Sequence, residues 1–321
     1  MTLIPFTVQT LPALLDLPAF LNGEYTSLQH AKISVMDRGF IFGDGIYEVV
    51  PVYGGQPFRF EQHLNRLAFS LKETRIPNPY SRADWKDITS TLVSKLVASL
   101  SINTPATADN YSASAANQLV YFQVTRGVAM RDHVMPQGIT PTVFAFVQPM
   151  KSITAAQLEN GVACVSADDF RWKKAHIKTT SLLAAVFARQ ISADQGALET
   201  IMFRDNLLSE AAASNVWVVK DGKVLGPKLD QLVLEGIRYG FIEELCAAHG
   251  IPFELRNITR EEVLSADELL LSSATKEVLA VTSLDGKPVA NGQPGPVFKQ
   301  LYAGYLAAIA ALHVAALNVA A

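Results

Sequence analysis

A two-domain α+β protein is the fold this sequence predicts, and three observations carry the expectation. The chain has 321 residues, while one hydrophobic core rarely grows past about 250–300 residues. Strand-like alternation and helix-like spacing are interleaved along both halves. The stretch PMKSITAAQ (149–157) has the character of a linker. It divides the chain into a smaller N-terminal domain, 1–149, and a larger C-terminal domain, 158–321, with residues 150–157 between them.

The elements follow in order. FLNGEYTSL holds an Asn-Gly pair between apolar stretches, a hairpin signal, and IYEVVPVYGGQPFRF alternates before turning at Gly54-Gly55. HLNRLAFSLKETRI places Leu64, Leu67, Leu71 and Arg75 at helical spacing. DWKDITSTLVSKLVASL predicts a second helix, with Asp84 or Ser81 as its cap. Residues 103–117, NTPATADNYSASAAN, are small and polar and predict a loop. QLVYFQVTRG and the apolar run PTVFAFVQPM predict strands.

Beyond the linker, GVACVSADDF predicts a strand and SLLAAVFARQISADQGA a helix ended by Gly196. TIMFRDNLLSE and NVWVVKDGKVLGP predict strand pairs turning at Asp205-Asn206 and Asp221-Gly222. LDQLVLEGIRYGFIEELCAAHG carries a long helical pattern interrupted at Gly236, and TREEVLSADELLLSSATKEVLAV predicts a short helix, a strand and a loop. The Ala-rich end, AGYLAAIAALHVAALNVAA, predicts a packed helix, since it lacks the Leu and Ile of a membrane span.

Composition narrows the function. Apolar residues at 49% and charged residues at 18% describe a well-cored protein. A net charge of −3 provides no pull towards nucleic acid or an anionic membrane. The N-terminus has no Lys or Arg before Lys32, and prolines break its first turns, so no secretory signal is expected. Two cysteines far apart, Cys164 and Cys246, suit a reducing cytoplasmic setting. FGDGIYE lacks the third glycine of a dinucleotide loop, and no GK[ST] loop or G-x-S-x-G elbow exists. The histidines never pair at helical spacing with a nearby acid, so no metal site is expected.

What stands out is a set of charged residues in apolar surroundings. Lys178 lies between Ile177 and the run TTSLLAA, where desolvation disfavours a charged amine, and a neutral amine attacks aldehydes. Lys173 and Lys174 adjoin Trp172 and two aspartates, a more solvated context, and a snorkelling role is open to all three lysines. Glu210 precedes three alanines that would let a flat ligand approach the backbone; a capping role is its alternative. Arg66 could hold an anion or cover apolar surface with its stem. TRGVAMRDHVMP gathers Arg126, Arg131 and His133 in a loop suited to a carboxylate, while EGIRYG and SSAT could each offer backbone N–H groups to a phosphate. An amine, an acid, arginines and two anion cradles together match an aldehyde cofactor with a ring nitrogen and a phosphate.

At this point the sequence resembles the fold type IV, pyridoxal-phosphate-dependent aminotransferases, and among them the D-amino acid aminotransferases. The resemblance rests on DRGFIFGDGIYEVV (37–50), EQHLNRL (61–67), YFQVTRG (121–127), RDH (131–133), RWKKAHIKTTSLLAAVFA (171–188), LSEAAASNVW (208–217), LEGIR (234–238) and LLLSSATKEV (269–278). These keep their order over roughly residues 18–300.

The resemblance implies an active site between the domains and a ping-pong cycle through a Lys178 aldimine with pyridoxal 5'-phosphate. It implies Glu210 opposite the ring nitrogen, Arg66, Ile237, Arg238, Ala274 and Thr275 around the phosphate, and Leu234 as a further cofactor-binding residue. It implies a substrate-carboxylate trap of Tyr47, Arg131 and His133, with the Arg131–His133 loop donated by the partner of a homodimer, and Arg171 supporting Tyr47. Ala274 departs from the hydroxyl residue close relatives carry there, with Ser273 or Thr275 as substitutes, and Arg238 is an unusual cation near the phosphate. D-alanine and 2-oxoglutarate are the expected pair. A branched-chain L-amino acid or (R)-amine aminotransferase and a 4-amino-4-deoxychorismate lyase are the alternatives. The first would more often show Phe-Glu-Gly where this chain has Ile46-Tyr47-Glu48.

Overall fold

The computed structural model describes residues 16–103 and 117–320. The start of the chain and most of the polar segment expected as a loop lie outside the described residues.

Strands β1 (Pro18–Leu21) and β2 (Glu24–Ser27) form the first hairpin. Its turn residues Asn22 and Gly23 both take positive φ, 50° and 100°, which Asn-Gly tolerates at little cost. A short helix α1 (Arg38–Phe42), capped by the Asp37 carboxylate, leads into β3 (Gly45–Tyr53) and β4 (Gln56–Pro57). Helices α2 (Phe60–Thr74) and α3 (Arg82–Asn103) follow, then β5 (Asn117–Thr125) and β6 (Thr142–Pro149). Both proposed caps of α3 act together: the Ser81 hydroxyl accepts the Asp84 N–H and the Asp84 carboxylate accepts the Ser81 N–H.

The six strands make one antiparallel sheet in the order β2-β1-β6-β5-β3-β4. Alternate residues of its central strands, such as Val120, Phe122 and Val124, face Leu64, Leu67 and Leu71 of α2 and Trp85, Leu92 and Leu96 of α3. Each fully buried side chain of this kind contributes about 1.5–3 kcal/mol.

The second sheet begins after α4 (Ala155–Asn160), a helix where the sequence suggested only a linker, started by a Thr154–Gln157 capping box. Then come β7 (Val162–Asp168), α5 (Leu183–Asp194), β8 (Glu199–Arg204), β9 (Leu207–Ala211), β10 (Asn215–Lys220) and β11 (Lys223–Pro227). The chain closes with α6 (Arg238–Ala248), β12 (Phe253–Arg256), α7 (Arg260–Leu264), β13 (Glu268–Ser273), β14 (Glu277–Leu284), β15 (Lys287–Pro288) and α8 (Pro296–Ala320). The nine strands form a mixed sheet along β12-β11-β10-β13-β14-β7-β8-β9, with β15 beside β14. Trp217 and Val219 pack under α6 and α8, while Val216 and Val218 face the opposite core, as a strand's two-residue period requires.

Two expectations are corrected. LDQLVLEG is irregular, not helical: Asn215 Nδ2 donates to Leu234 O at 2.9 Å and Leu234 N donates to Glu210 Oε1 at 3.4 Å. Side chains have taken the backbone groups a helix would need, so α6 starts only at Arg238. KEVLAV, expected within a loop, is the body of β14, whose apolar residues are buried against β13 and β7. Among the described residues, no helix is long and apolar enough to cross a membrane.

The two sheets meet through backbone. Tyr47 N donates to Lys178 O at 3.0 Å, Thr180 N donates to Gly45 O at 2.9 Å, and Ile46 bridges Thr179. The segment after β7 is thus zipped onto the start of β3. At the other end of β3, Tyr53 joins Phe58 in the apolar cluster formed by α6 and α8.

Candidate active site

Where the sheets meet lies a cavity of about 590 Å³. Tyr47 and Arg66 line it from the first half of the chain, Lys178, Glu210, Leu234, Ile237, Arg238 and Ala274 from the second. Eight expected site residues, spread from position 47 to position 274, therefore share one wall system. Thr275 sits in the same β13–β14 turn as Ala274 but does not line the cavity.

Lys178 holds its Nζ 4.3 Å from the centre of the Tyr47 ring, a distance at which the ring face attracts a cation. Tyr47 is itself stacked on Tyr121, 5.7 Å between centroids, so the ring is fixed from behind. Lys173 and Lys174 are exposed and line no part of the cavity. Of the three lysines, the structure delivers Lys178 alone to the site.

Glu210 ends β9 with its carboxylate buried. Burial pushes that carboxyl above its ordinary range, and the Arg171 guanidinium opposes the rise. Arg171 Nη1 donates to Glu210 Oε1, and Asn215 Nδ2 donates to Oε2 at 3.2 Å. Arg171 also grips Asp169 through Nε at 2.9 Å and Nη2 at 2.8 Å. All three guanidinium nitrogens are thereby committed to carboxylates. Support for Tyr47, expected of Arg171, is replaced by support for Glu210.

Arg66 is fixed by a fork to the buried Glu48, Nε to Oε1 at 2.7 Å and Nη2 to Oε2 at 2.8 Å, while Nη1 donates to Glu235 O at 3.1 Å. His63 Nδ1 stands 2.7 Å from the same carboxylate. Burial alone would raise Glu48, but the Arg66 charge and both hydrogen-bond partners outweigh it and hold the carboxyl far below its ordinary range. Burial pushes His63 down to about 4, against the pull of Glu48.

The loop 234–237 arrives at the cavity as the N-terminus of α6, whose first N–H groups have no partner within the helix. No side chain caps that end. Gly236 is required there, since a Cβ would fall 1.9 Å from Asn215 Oδ1. Ser272 and Ser273 also line the cavity. Ser273 Oγ accepts the Lys276 N–H at 3.1 Å, which leaves its own O–H to donate. Arg238 departs from expectation: its guanidinium lies in the core, 4.8 Å from the centre of the Phe58 ring, not towards the cavity.

Arg131 and His133 are exposed and do not line this cavity. They stand beside Phe42, at 5.5 Å from guanidinium to ring centre and 5.4 Å between rings. No site role was expected of Asn215, Asp169 or Glu48. The signal for them is present in the sequence: each lies inside or within two residues of a motif that carries the resemblance.

Comparisons with known proteins follow this geometry. A family model described as "Amino-transferase class IV" matches residues 45–284. A D-alanine aminotransferase of Bacillus licheniformis is 35% identical over 280 residues, covering 87% of this chain and 93% of that one. A D-alanine aminotransferase of Staphylococcus aureus (strain COL) is 34% identical over 287 residues, 89% of this chain and 95% of that one. The branched-chain amino acid aminotransferase of Escherichia coli has a similar fold, with a TM-score of 0.76 over 91% of this chain and 94% of that one, at 24% identity.

Proposed function

The chain belongs to the class IV aminotransferases, whose cofactor is pyridoxal 5'-phosphate, and we propose that it exchanges amino groups between D-amino acids and 2-oxo acids. The single observation that carries the site assignment is the convergence of Lys178, Tyr47, Glu210, Arg66 and the uncapped α6 N-terminus on one cavity. D-alanine as donor and 2-oxoglutarate as acceptor are the proposed pair. The two D-alanine aminotransferase relatives, each matched over most of its length, support the enantiomer.

The residues present fit the cofactor. The α6 N-terminus offers N–H groups at Ile237 and Arg238 to a phosphate, Arg66 adds a fixed cation, and Ser273 offers a hydroxyl in place of the one missing at Ala274. Glu210, a buried carboxylate whose Oε2 accepts only from Asn215 Nδ2 at 3.2 Å among the described residues, suits a protonated ring nitrogen, with Leu234 also on the cavity wall. Among the described residues, Lys178 is the one lysine on the cavity wall to take the aldehyde. When bound, the cofactor supplies an aldehyde for amine exchange and a ring that accepts the electrons left by the α-proton.

Each residue then has a defined task. Lys178 would hold the group through its Nζ, and the same amine, once free, would be the base that moves the α-proton. Arg171 favours the charged form of Glu210, which would in turn hold a proton on a ring nitrogen bound there. Tyr47 orients the Lys178 amine with its ring and offers its hydroxyl to the substrate carboxylate. Arg131 and His133 complete that carboxylate site in a homodimer, where the loop of one protomer serves the site of its partner. Release of one oxo acid before the next binds makes the cycle ping-pong. The proposed domains are 1–149 and 158–321, joined by 150–157, with the site between them. Two free, buried cysteines support a reducing, cytoplasmic setting.

The test is a panel of D- and L-amino acids with (R)-phenylethylamine, each assayed against pyruvate and 2-oxoglutarate. Turnover of D-alanine well above its L-enantiomer and above the amine supports the proposal. Preference for branched-chain L-amino acids, or for the carboxylate-free amine, refutes it.

A further inference from the structure

Arg238 starts α6 at the cavity, yet its buried guanidinium has one hydrogen bond among the described residues, Nη2 to Tyr305 Oη at 2.7 Å. Tyr305, on α8, lies 3.2 Å oxygen to oxygen from Tyr53, and Tyr53 donates to Glu277 Oε1 at 2.9 Å. The direction of every bond is therefore fixed. Tyr53 has spent its proton on the carboxylate, so Tyr305 must donate to Tyr53 while accepting from Arg238. A buried cation and a buried carboxylate are joined through two tyrosine hydroxyls, each donating once and accepting once. Glu277 is raised by burial, with Tyr53 and Arg238 opposing, as expected of a carboxyl whose partner is relayed.

The two ends of this relay matter for the cavity. Arg238 is the first residue of α6, whose N-terminus faces the cavity. Glu277 is the first residue of β14, directly after the Ala274–Lys276 turn that forms another wall. Its backbone is left-handed, φ 49°, a conformation a glutamate holds only where its surroundings over-determine it. The bond to Tyr53 ties the side chain of that strained residue to the relay. Phe58 and Tyr305, stacked on one another, lie beside the other end, their ring centres 4.8 and 5.3 Å from the Arg238 guanidinium.

We propose that Tyr305 and Tyr53 are positioning residues for the phosphate of the cofactor, setting the spacing between the α6 N-terminus and the β13–β14 turn. The C-terminal helix α8 is thereby coupled to cofactor retention, although Tyr305 does not line the cavity. This rests on the assignment of those two segments to the phosphate, made above.

The test compares pyridoxal 5'-phosphate with pyridoxal, which differs only in lacking the phosphate. Cofactor is removed from the full-length protein and each form is titrated back, followed by the fluorescence of Trp172 on the cavity wall. Tyr305→Phe keeps the ring and removes the relay's hydroxyl. The expected result is a Kd for pyridoxal 5'-phosphate raised about tenfold, the scale of one lost hydrogen bond to a charged group, with the Kd for pyridoxal unchanged within about twofold. Should Tyr305→Phe fail to fold, Tyr53→Phe breaks the same relay one bond further on and is judged by the same ratio. Equal weakening of both ligands, or no change in either, would overturn the positioning role. A wild-type protein with no preference for the phosphate form would overturn the phosphate assignment itself, which separates the two failures.

Discussion

Lys178 Nζ stands over the face of the Tyr47 ring at 4.3 Å, and the same two residues are joined through their backbones by a 3.0 Å hydrogen bond. Tyr47 belongs to the first sheet and Lys178 to the segment leaving the second, so one residue pair closes the seam between the sheets and sets the amine over the ring. On the proposed function, seam and chemistry are coupled.

Removing the amine removes the chemistry. Lys178→Ala is expected to cut transamination by about 10⁴-fold or more, since nucleophile and proton carrier are lost together. Noncovalent uptake of the cofactor should persist, because the phosphate and ring contacts come from other residues. Turnover assays and cofactor content on the same preparation check both halves.

The two tasks of Tyr47 separate by substitution. Tyr47→Phe keeps the ring beneath the amine and removes the hydroxyl, so KM for D-alanine should rise about tenfold with kcat little changed, the loss of one charge-assisted hydrogen bond. Tyr47→Ala also removes the ring face, and kcat should then fall as well. A kcat loss of equal size in both variants would contradict the division.

Arg171 governs the proton on Glu210. Burial raises that carboxyl and the guanidinium opposes it, so Arg171→Met leaves a carboxylate that takes its proton at still higher pH. Because the ionised form is the working one, the acid limb of the kcat profile should move to higher pH. A profile unmoved by the substitution, measured from pH 5 upward, would remove Arg171 from the mechanism.

His63 makes stability depend on pH. Its folded pKa, about 4, lies below its unfolded value of about 6.5, so the unfolded chain binds the proton first. Its contribution is complete above pH 6.5 and is lost as pH falls towards 4, by up to about 1.4 kcal/mol per pH unit. Thermal melts across that window should show the slope in the wild type and a flatter line in His63→Gln.

Arg131 and His133 are exposed and do not line their own chain's cavity, so the carboxylate trap is expected to work across a dimer. Arg131→Ala should raise KM for D-alanine far more than for a carboxylate-free amine. Mixing Arg131→Ala with Lys178→Ala protomers should restore about a quarter of wild-type activity, because half the dimers are hybrids with one intact site each. No restoration would place the trap elsewhere.

The hairpins were legible because their turns obey local rules: Asn22-Gly23, Asp205-Asn206 and Asp221-Gly222 take the positive φ their residue types allow. The segment before α6 was not, because its apolar spacing is helical and only Asn215 and Glu210, about twenty residues earlier, prevent the helix. Lys178 was one of three lysines by local composition, and its place among ordered motifs, not its neighbours, singled it out. Partners brought together by folding were harder. The resemblance places Arg171 behind Tyr47, and local sequence marks Asp169, two residues away, only as a solvating neighbour of the lysines, whereas folding makes it the partner that fixes the guanidinium beside Glu210. Arg238 was read by its sequence position near the phosphate, yet a side chain's direction is set by what surrounds it, here Phe58 and Tyr305 from distant segments.

The central claim is that Lys178, held over Tyr47, is the residue that carries the cofactor. Borohydride reduction of the wild-type protein with pyridoxal 5'-phosphate, followed by peptide mapping, tests it most directly. A single phosphopyridoxyl group on Lys178, absent from Lys178→Ala, is the predicted result. Label on Lys173 or Lys174, or undiminished label in the variant, would contradict it.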